Sequence, residues 1–239
     1  MIVNKLNNRG WEIIFQRHHG LLAARLFSEL KFFHLPQSID RTAMMTAIAE
    51  HDDGQRDWQE GEFVNDQGEP IDFTQYDYDL KHARKAVIEA SYKSSYITLI
   101  ISRHVTELYS NVPNATEELK DYLSEQKDHQ KQLLSSLNIS PNEFDRQYQL
   151  LRWCDELSLA LCQDQPAYEL PSLQANGAKY QLIKENAFYL RDWPFQANQL
   201  TIPLETYQLS KSRFDNNQDL FNHLKQTSRT VRKVVLMKR

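Results

Sequence analysis

The chain has 239 residues, of which 41% are hydrophobic and 25% are charged, and its formal net charge is −4. This balance excludes a largely disordered chain and indicates one globular domain with a buried core. It also argues against a nucleic-acid partner, which would need a clustered basic face. The only cysteines, Cys154 and Cys162, lie about 12 Å apart along one predicted helix, so they cannot pair within it. With no apolar run of about 18 residues and no secretory signal, we expect a soluble, cytoplasmic protein without a membrane partner.

The predicted elements run from strands to helices and back to strands. Residues 1–16 form two short strands, and helices follow at about 18–33, 41–52, 77–92, 95–110, 114–137 and 141–163. Asp40 and Ser140 are typical N-caps for two of these helices. Residues 55–75 lack a clear period, which predicts a long functional loop. We therefore predict one mainly α domain over residues 1–239, with a helical core at about 18–163 and a small sheet built from terminal strands 1–16 and about 178–239.

The most informative element is the pair His51-Asp52 at the end of the second predicted helix. His51 follows Met44, Ala47 and Ile48 by seven, four and three residues, so it continues their apolar face. A buried imidazole beside a buried carboxylate is costly unless each is paired or binds a metal ion. The pair alone is a weak signal, because this dipeptide is common.

Three other predicted helices also place a histidine or an aspartate on or beside an apolar face. His104 continues an aliphatic stripe with Ile97 and Ile101. Asp155 lies beside a stripe of leucines, and His19 begins the apolar face of the first helix. Singly, each is more often a hydrogen-bonded structural residue. Together, on separate helices, they predict a metal site between the helices.

The order of these residues on a helical body resembles the HD superfamily of metal-dependent phosphohydrolases. It is more closely similar to an uncharacterised bacterial family known only as a domain of unknown function. The resemblance covers nearly the whole chain and implies an HD-type helical bundle. One departure is Gln55, where an aromatic residue is expected. The matching segments are Gln16 to His19, Glu50-His51-Asp52, Ser102-Arg103-His104, Asp155 to Leu159, and Trp193-Pro194-Phe195.

The resemblance implies that His19, His51, Asp52 and Asp155 bind a first metal ion. Asp52 would bridge to a second ion, with His104 as its ligand. Imidazole and carboxylate donors together suit divalent Mn, Fe, Co, Ni or Zn better than Ca. One or two such ions would activate water, and we expect hydrolysis of a phosphoester or a nucleotide.

Three further residues are candidates for the chemistry around the metal. Asp53 would orient the attacking water, although a solvated acid at a helix end is an equal alternative. Arg56 and Arg103 would bind a small-molecule substrate that carries a phosphate. For both arginines, a plain surface charge is the stronger alternative.

Two other functions stay open from the sequence. An HD-type di-iron oxygenase would add His82 as a ligand, but His82 shares its face with Lys85 and Glu89, which predicts exposure. A non-catalytic ligand-binding protein would use the cluster only structurally. His18 would replace His19 if the first helix began in another phase. The sequence leaves the oligomeric state open.

Overall fold

A computed structural model describes residues 1–7, 10–31, 34–36, 39–54, 61–76, 78–173, 177 and 179–239. The helices of this part are α1 (Gln16–Glu29), α2 (Arg41–Glu50), α3 (Leu80–Ser91), α4 (Ser95–Tyr109), α5 (Glu117–Leu137), α6 (Pro141–Cys162) and α7 (Asn217–Gln226). The strands are β1 (Ile2–Lys5), β2 (Trp11–Ile14), β3 (Ala167–Leu170), β4 (Tyr180–Lys184), β5 (Phe188–Arg191), β6 (Gln199–Leu209) and β7 (Thr230–Lys238). A short 3₁₀ helix spans Phe73–Gln75.

The strands form one seven-stranded mixed sheet in the order β1-β2-β6-β7-β5-β4-β3. The prediction of a mainly α, HD-type bundle with a small sheet is therefore wrong. The central strand β6 has 11 residues and pairs with β2 on one side and β7 on the other. The sheet joins strands from both ends of the chain, but local patterns did not indicate its size, its strand order or the inclusion of β3, which precedes the predicted strands. The parallel pairing of β5 with β7 makes the sheet mixed.

Local signals in the sequence fix the starts of two helices, and both predicted caps are confirmed. The Asp40 side chain accepts a hydrogen bond from the backbone N–H of Ala43 at 3.0 Å. Ser140 caps α6, with Pro141 in its first turn. Helix α7 lies within the region predicted as terminal strands, which corrects that part of the prediction. None of the helices in the described ranges is long and apolar enough to cross a lipid bilayer.

Two glycines allow the helices around the site to approach closely. A Cβ atom on Gly20 would lie 2.4 Å from the backbone oxygen of Ala49, so α1 and α2 touch backbone to backbone. A Cβ atom on Gly54 would lie 2.5 Å from the backbone oxygen of His82, which brings the turn after α2 against α3. These contacts require a residue without a side chain. Both close contacts lie within two residues of a predicted ligand, His19 or Asp52.

Candidate metal centre

Five predicted ligands from four helical segments meet in the structure. His19 lies on α1, His51 and Asp52 on the turn that ends α2, His104 on α4 and Asp155 on α6. They form two groups that could hold a metal ion, one of His19, His51 and Asp52, the other of His51, His104 and Asp155. Within each group, the donor atoms lie within 4.8 Å of one another. The shared residue, His51, makes the two groups one continuous cluster.

The backbone orients the imidazole of His51. Its Nδ1 lies 2.7 Å from the carbonyl oxygen of Ile48, so this nitrogen carries the proton and donates it. Nε2 is buried and has no hydrogen-bond partner among the described residues, although Asp155 Oδ1 lies 3.3 Å away. In the neutral tautomer, Nε2 therefore presents its lone pair to the two carboxylates.

A serine on α6 orients the imidazole of His19 in the same way. Ser158 donates its hydroxyl proton to the carbonyl oxygen of Asp155 at 2.9 Å, so its oxygen accepts from His19 Nδ1 at 2.7 Å. His19 Nε2 then carries a lone pair, and it lies 3.1 Å from Oδ2 of Asp52. Two acceptors at this distance repel each other unless a proton or a metal ion lies between them. A hydrogen bond to the far nitrogen is the usual way to orient a metal-binding histidine.

His104 is held in the neutral form that a ligand needs. Burial and the neighbouring charge of His51 lower the pKa of His104 to about 4. Its Nδ1 lies 3.4 Å from the hydroxyl of Tyr148, and its ring centre lies 5.1 Å from that of His51. A neutral imidazole next to the carboxylates completes the second donor group.

The two carboxylates give the cluster its charge. The side chains of Asp52 and Asp155 are only 12% and 13% exposed. Burial opposes their ionisation, yet the nearby histidines, His51 above all, hold the pKa of both carboxyls below the usual range. The two carboxylates outweigh burial at His51 and raise its pKa to about 10. Two buried negative charges attract a cation, and a divalent ion would compete with the proton for His51 Nε2.

The cluster opens into a cavity of about 650 Å³. Asp52, His104 and Asp155 line one part of it. Tyr207 on β6 and Phe221 on α7 line another, and no sequence signal pointed to either residue. Tyr207 pairs with Ile13 of β2, which ends just before α1, so the pairing of β6 with β2 brings Tyr207 to this end of the helices.

A family model described as "Protein of unknown function (DUF3891)" matches residues 1–211. The chain belongs to this family. No curated protein and no solved structure matches the chain. The match to the family model confirms the predicted relation to an uncharacterised family. Neither the comparisons nor the seven-stranded sheet support the predicted membership of the HD superfamily. The matched range of the DUF3891 protein contains all five clustered side chains.

Of the other predicted site residues, the two that the structure describes, Asp53 and Arg103, do not line the cavity. Asp53 faces Arg17, with Oδ1 3.7 Å from Nε, and it does not line the cavity. Arg103 forms ion pairs with acids on α4 and α6 and lies over the ring of Tyr148, 5.5 Å from its centre. Arg103 thus contacts the tyrosine behind His104 and not the cavity. Arg56, like all of residues 55–60, lies outside the described residues.

The structure corrects the exposure predicted for His82 and places His18 outside the cluster. His82 was predicted to be exposed, but it is 8% exposed, lines the cavity and has Nδ1 3.4 Å from Oδ2 of Asp79. His82 lies on the buried face of α3 with Ala86 and Ala90, four and eight residues further on, and this apolar spacing is the signal that the comparison with Lys85 and Glu89 missed. His18 accepts a hydrogen bond from the backbone N–H of Glu205 at 3.2 Å, so His19 and not His18 joins the cluster.

Proposed function

We propose that this protein is a metal-dependent hydrolase that acts on a phosphoester. One observation carries the proposal. His19 and His51 each donate from Nδ1 to a fixed oxygen, and both Nε2 atoms are turned toward the carboxylates of Asp52 and Asp155. Such preorganised donors next to an open cavity are what a catalytic metal site requires.

The residues present fit a divalent transition metal. His19, His51, Asp52 and Asp155 would hold a first ion, and His104 is available to a second. When bound, the ion lowers the pKa of a coordinated water and so supplies the nucleophile of hydrolysis. Gln16 donates a hydrogen bond to Oδ2 of Asp52 at 3.2 Å and thereby restrains that carboxylate.

Elemental analysis of the untagged protein tests the proposal directly. The variant is His51→Ala/Asp52→Ala. The matched control is His223→Ala/Asp219→Ala, which removes another His/Asp pair, with Nδ1 and Oδ1 3.2 Å apart, outside the cavity. We expect nearly one transition metal ion or more per chain in the wild type and the control, and almost none in the variant. The wild type and the control should also show metal-dependent hydrolysis of 4-nitrophenyl phosphate, and the variant should show almost none.

A wild-type protein that takes up no Mn, Fe or Zn contradicts the proposal. Metal uptake without any turnover of phosphoesters would support metal binding but contradict the proposed hydrolase activity. Equal metal loss in the control variant would trace the loss to misfolding, which circular dichroism of the same samples detects.

A di-iron oxygenase is the second candidate, and one observation favours it. His82, which that function would add as a ligand, lines the same cavity as Asp52 and Asp155. Against it, His82 belongs to neither of the donor groups found within 4.8 Å. Iron in the purified protein, oxygen consumption and loss of iron in His82→Ala would favour the oxygenase. A protein that keeps its metal in His82→Ala favours the hydrolase.

A further inference from the structure

The wall of the cavity is largely aromatic and aliphatic. The aromatic side chains come from segments throughout the chain and include Phe15, Phe73, Tyr78, Tyr109, Tyr207 and Phe221. Leu21 and Leu108 also line the cavity, although they are 58% and 56% exposed. Exposed leucines beside an aromatic wall mark a surface that an apolar ligand would cover. The volume of about 650 Å³ suits a ligand larger than phosphate itself.

The charges around the cavity do not suit a polyphosphate. Among the described residues that line it, the arginines are Arg17 and Arg229, and there is no lysine. Each arginine faces a carboxylate. Arg17 lies 3.7 Å from Asp53, and Arg229 donates to Glu205 at 2.8 Å.

A divalent ion would only balance the charges of Asp52 and Asp155. Asp79 and Glu205 add further negative charge to the lining. A chain of several phosphates needs several cationic partners, which this lining does not offer. A second ion beside His104 would add two positive charges, so one phosphoester group is the most that the described cavity can compensate.

We infer that the substrate places a single phosphoester group at the His/Asp centre and a bulky aromatic or apolar group against this wall. The inference rests on the proposed function and adds the substrate class to it. Aromatic rings would receive the apolar group by stacking or edge contacts. The site would therefore select a substrate by its apolar group, whether or not that group leaves during hydrolysis. It would not select the polyphosphate chain of a nucleotide.

Isothermal titration calorimetry of the metal-loaded protein tests this class with two phosphonates, whose C–P bond a phosphoesterase does not cleave, and with one phosphoester, whose turnover during the titration is checked by phosphate release. Phenylphosphonate and methylphosphonate share a head group and differ in the ring, whereas ribose 5-phosphate carries a polar group of similar bulk. We expect phenylphosphonate to bind about 10-fold more tightly than either of the others.

Two variants and a control assign the preference to the wall. Tyr109→Ala and Phe73→Ala should each weaken phenylphosphonate binding several-fold and leave methylphosphonate binding and metal content unchanged. Tyr92→Ala, which removes an exposed tyrosine outside the cavity, should change nothing.

The outcomes separate the substrate class from the proposed function. Bound metal with equal affinities for the three ligands, or with tighter binding of ribose 5-phosphate, overturns the substrate class alone. Absence of metal overturns the proposed function, and elemental analysis of the same samples reports it independently of any ligand. A loss in Tyr92→Ala as large as in Tyr109→Ala also overturns the role of the wall.

Discussion

Replacing Ser158 by alanine removes one hydroxyl group. Ser158 does not line the cavity, but its hydroxyl fixes the tautomer of His19. The hydroxyl oxygen lies 2.7 Å from His19 Nδ1, and Ser158 is fully buried. Without it, His19 Nδ1 has no fixed acceptor, so the proton can move to Nε2, the nitrogen that faces Asp52. A protonated Nε2 cannot bind a metal ion. We therefore expect weaker metal binding although every ligand side chain is still present.

The expected loss is about 10- to 100-fold in metal affinity, the range found for groups that orient metal-binding histidines. That corresponds to about 1.4–2.7 kcal/mol. The buried Nδ1 left without a partner should also lower the free energy of unfolding of the metal-free protein by about 1–3 kcal/mol.

A competition titration against a chromophoric chelator measures the affinity, and urea unfolding measures the stability. Ser102→Ala is the matched control. Ser102 is also fully buried on a helix, and its hydroxyl bonds Gln126 and Gln130 at 2.9 Å, away from the cluster. The control should lose stability and keep its metal affinity. Wild-type affinity in Ser158→Ala, or an equal loss of affinity in Ser102→Ala, would refute the assigned role of the serine.

Three further predictions concern stability. Removing the metal with a chelator should lower the melting temperature, because an ion at 100 times its Kd adds about 2.7 kcal/mol; an unchanged melting temperature speaks against a bound ion. Gly54→Ala should cost about 1–3 kcal/mol by overpacking, since the added Cβ would lie 2.5 Å from the backbone oxygen of His82, and thermal unfolding measures it. Trp153→Ala should cost about 3–5 kcal/mol in urea, because its buried ring contacts Tyr180 and Phe195. Trp153→Phe should cost much less, since Nε1 has no hydrogen bond in the described structure to lose.

The helical period by itself determined the residues of the cluster. Each of His19, His51, His104 and Asp155 interrupts an apolar face, and such a face is buried wherever the helix packs. The caps at Asp40 and Ser140 are equally local, because a cap and the backbone N–H groups that it satisfies lie within one turn.

Only the tertiary structure decided the size and strand order of the sheet and the composition of the cavity wall. Trp11 pairs with Leu209, and pairing over such a separation depends on strand register and not on local sequence. That pairing, with the contact of Gly54 against α3, helps to determine which side chains border the cavity. His82 is among them, and it is buried because it shares the face of α3 that carries Ala86 and Ala90. The clustered side chains were therefore predictable from single helices, whereas the cavity beside them arises from contacts between segments that the sequence keeps far apart.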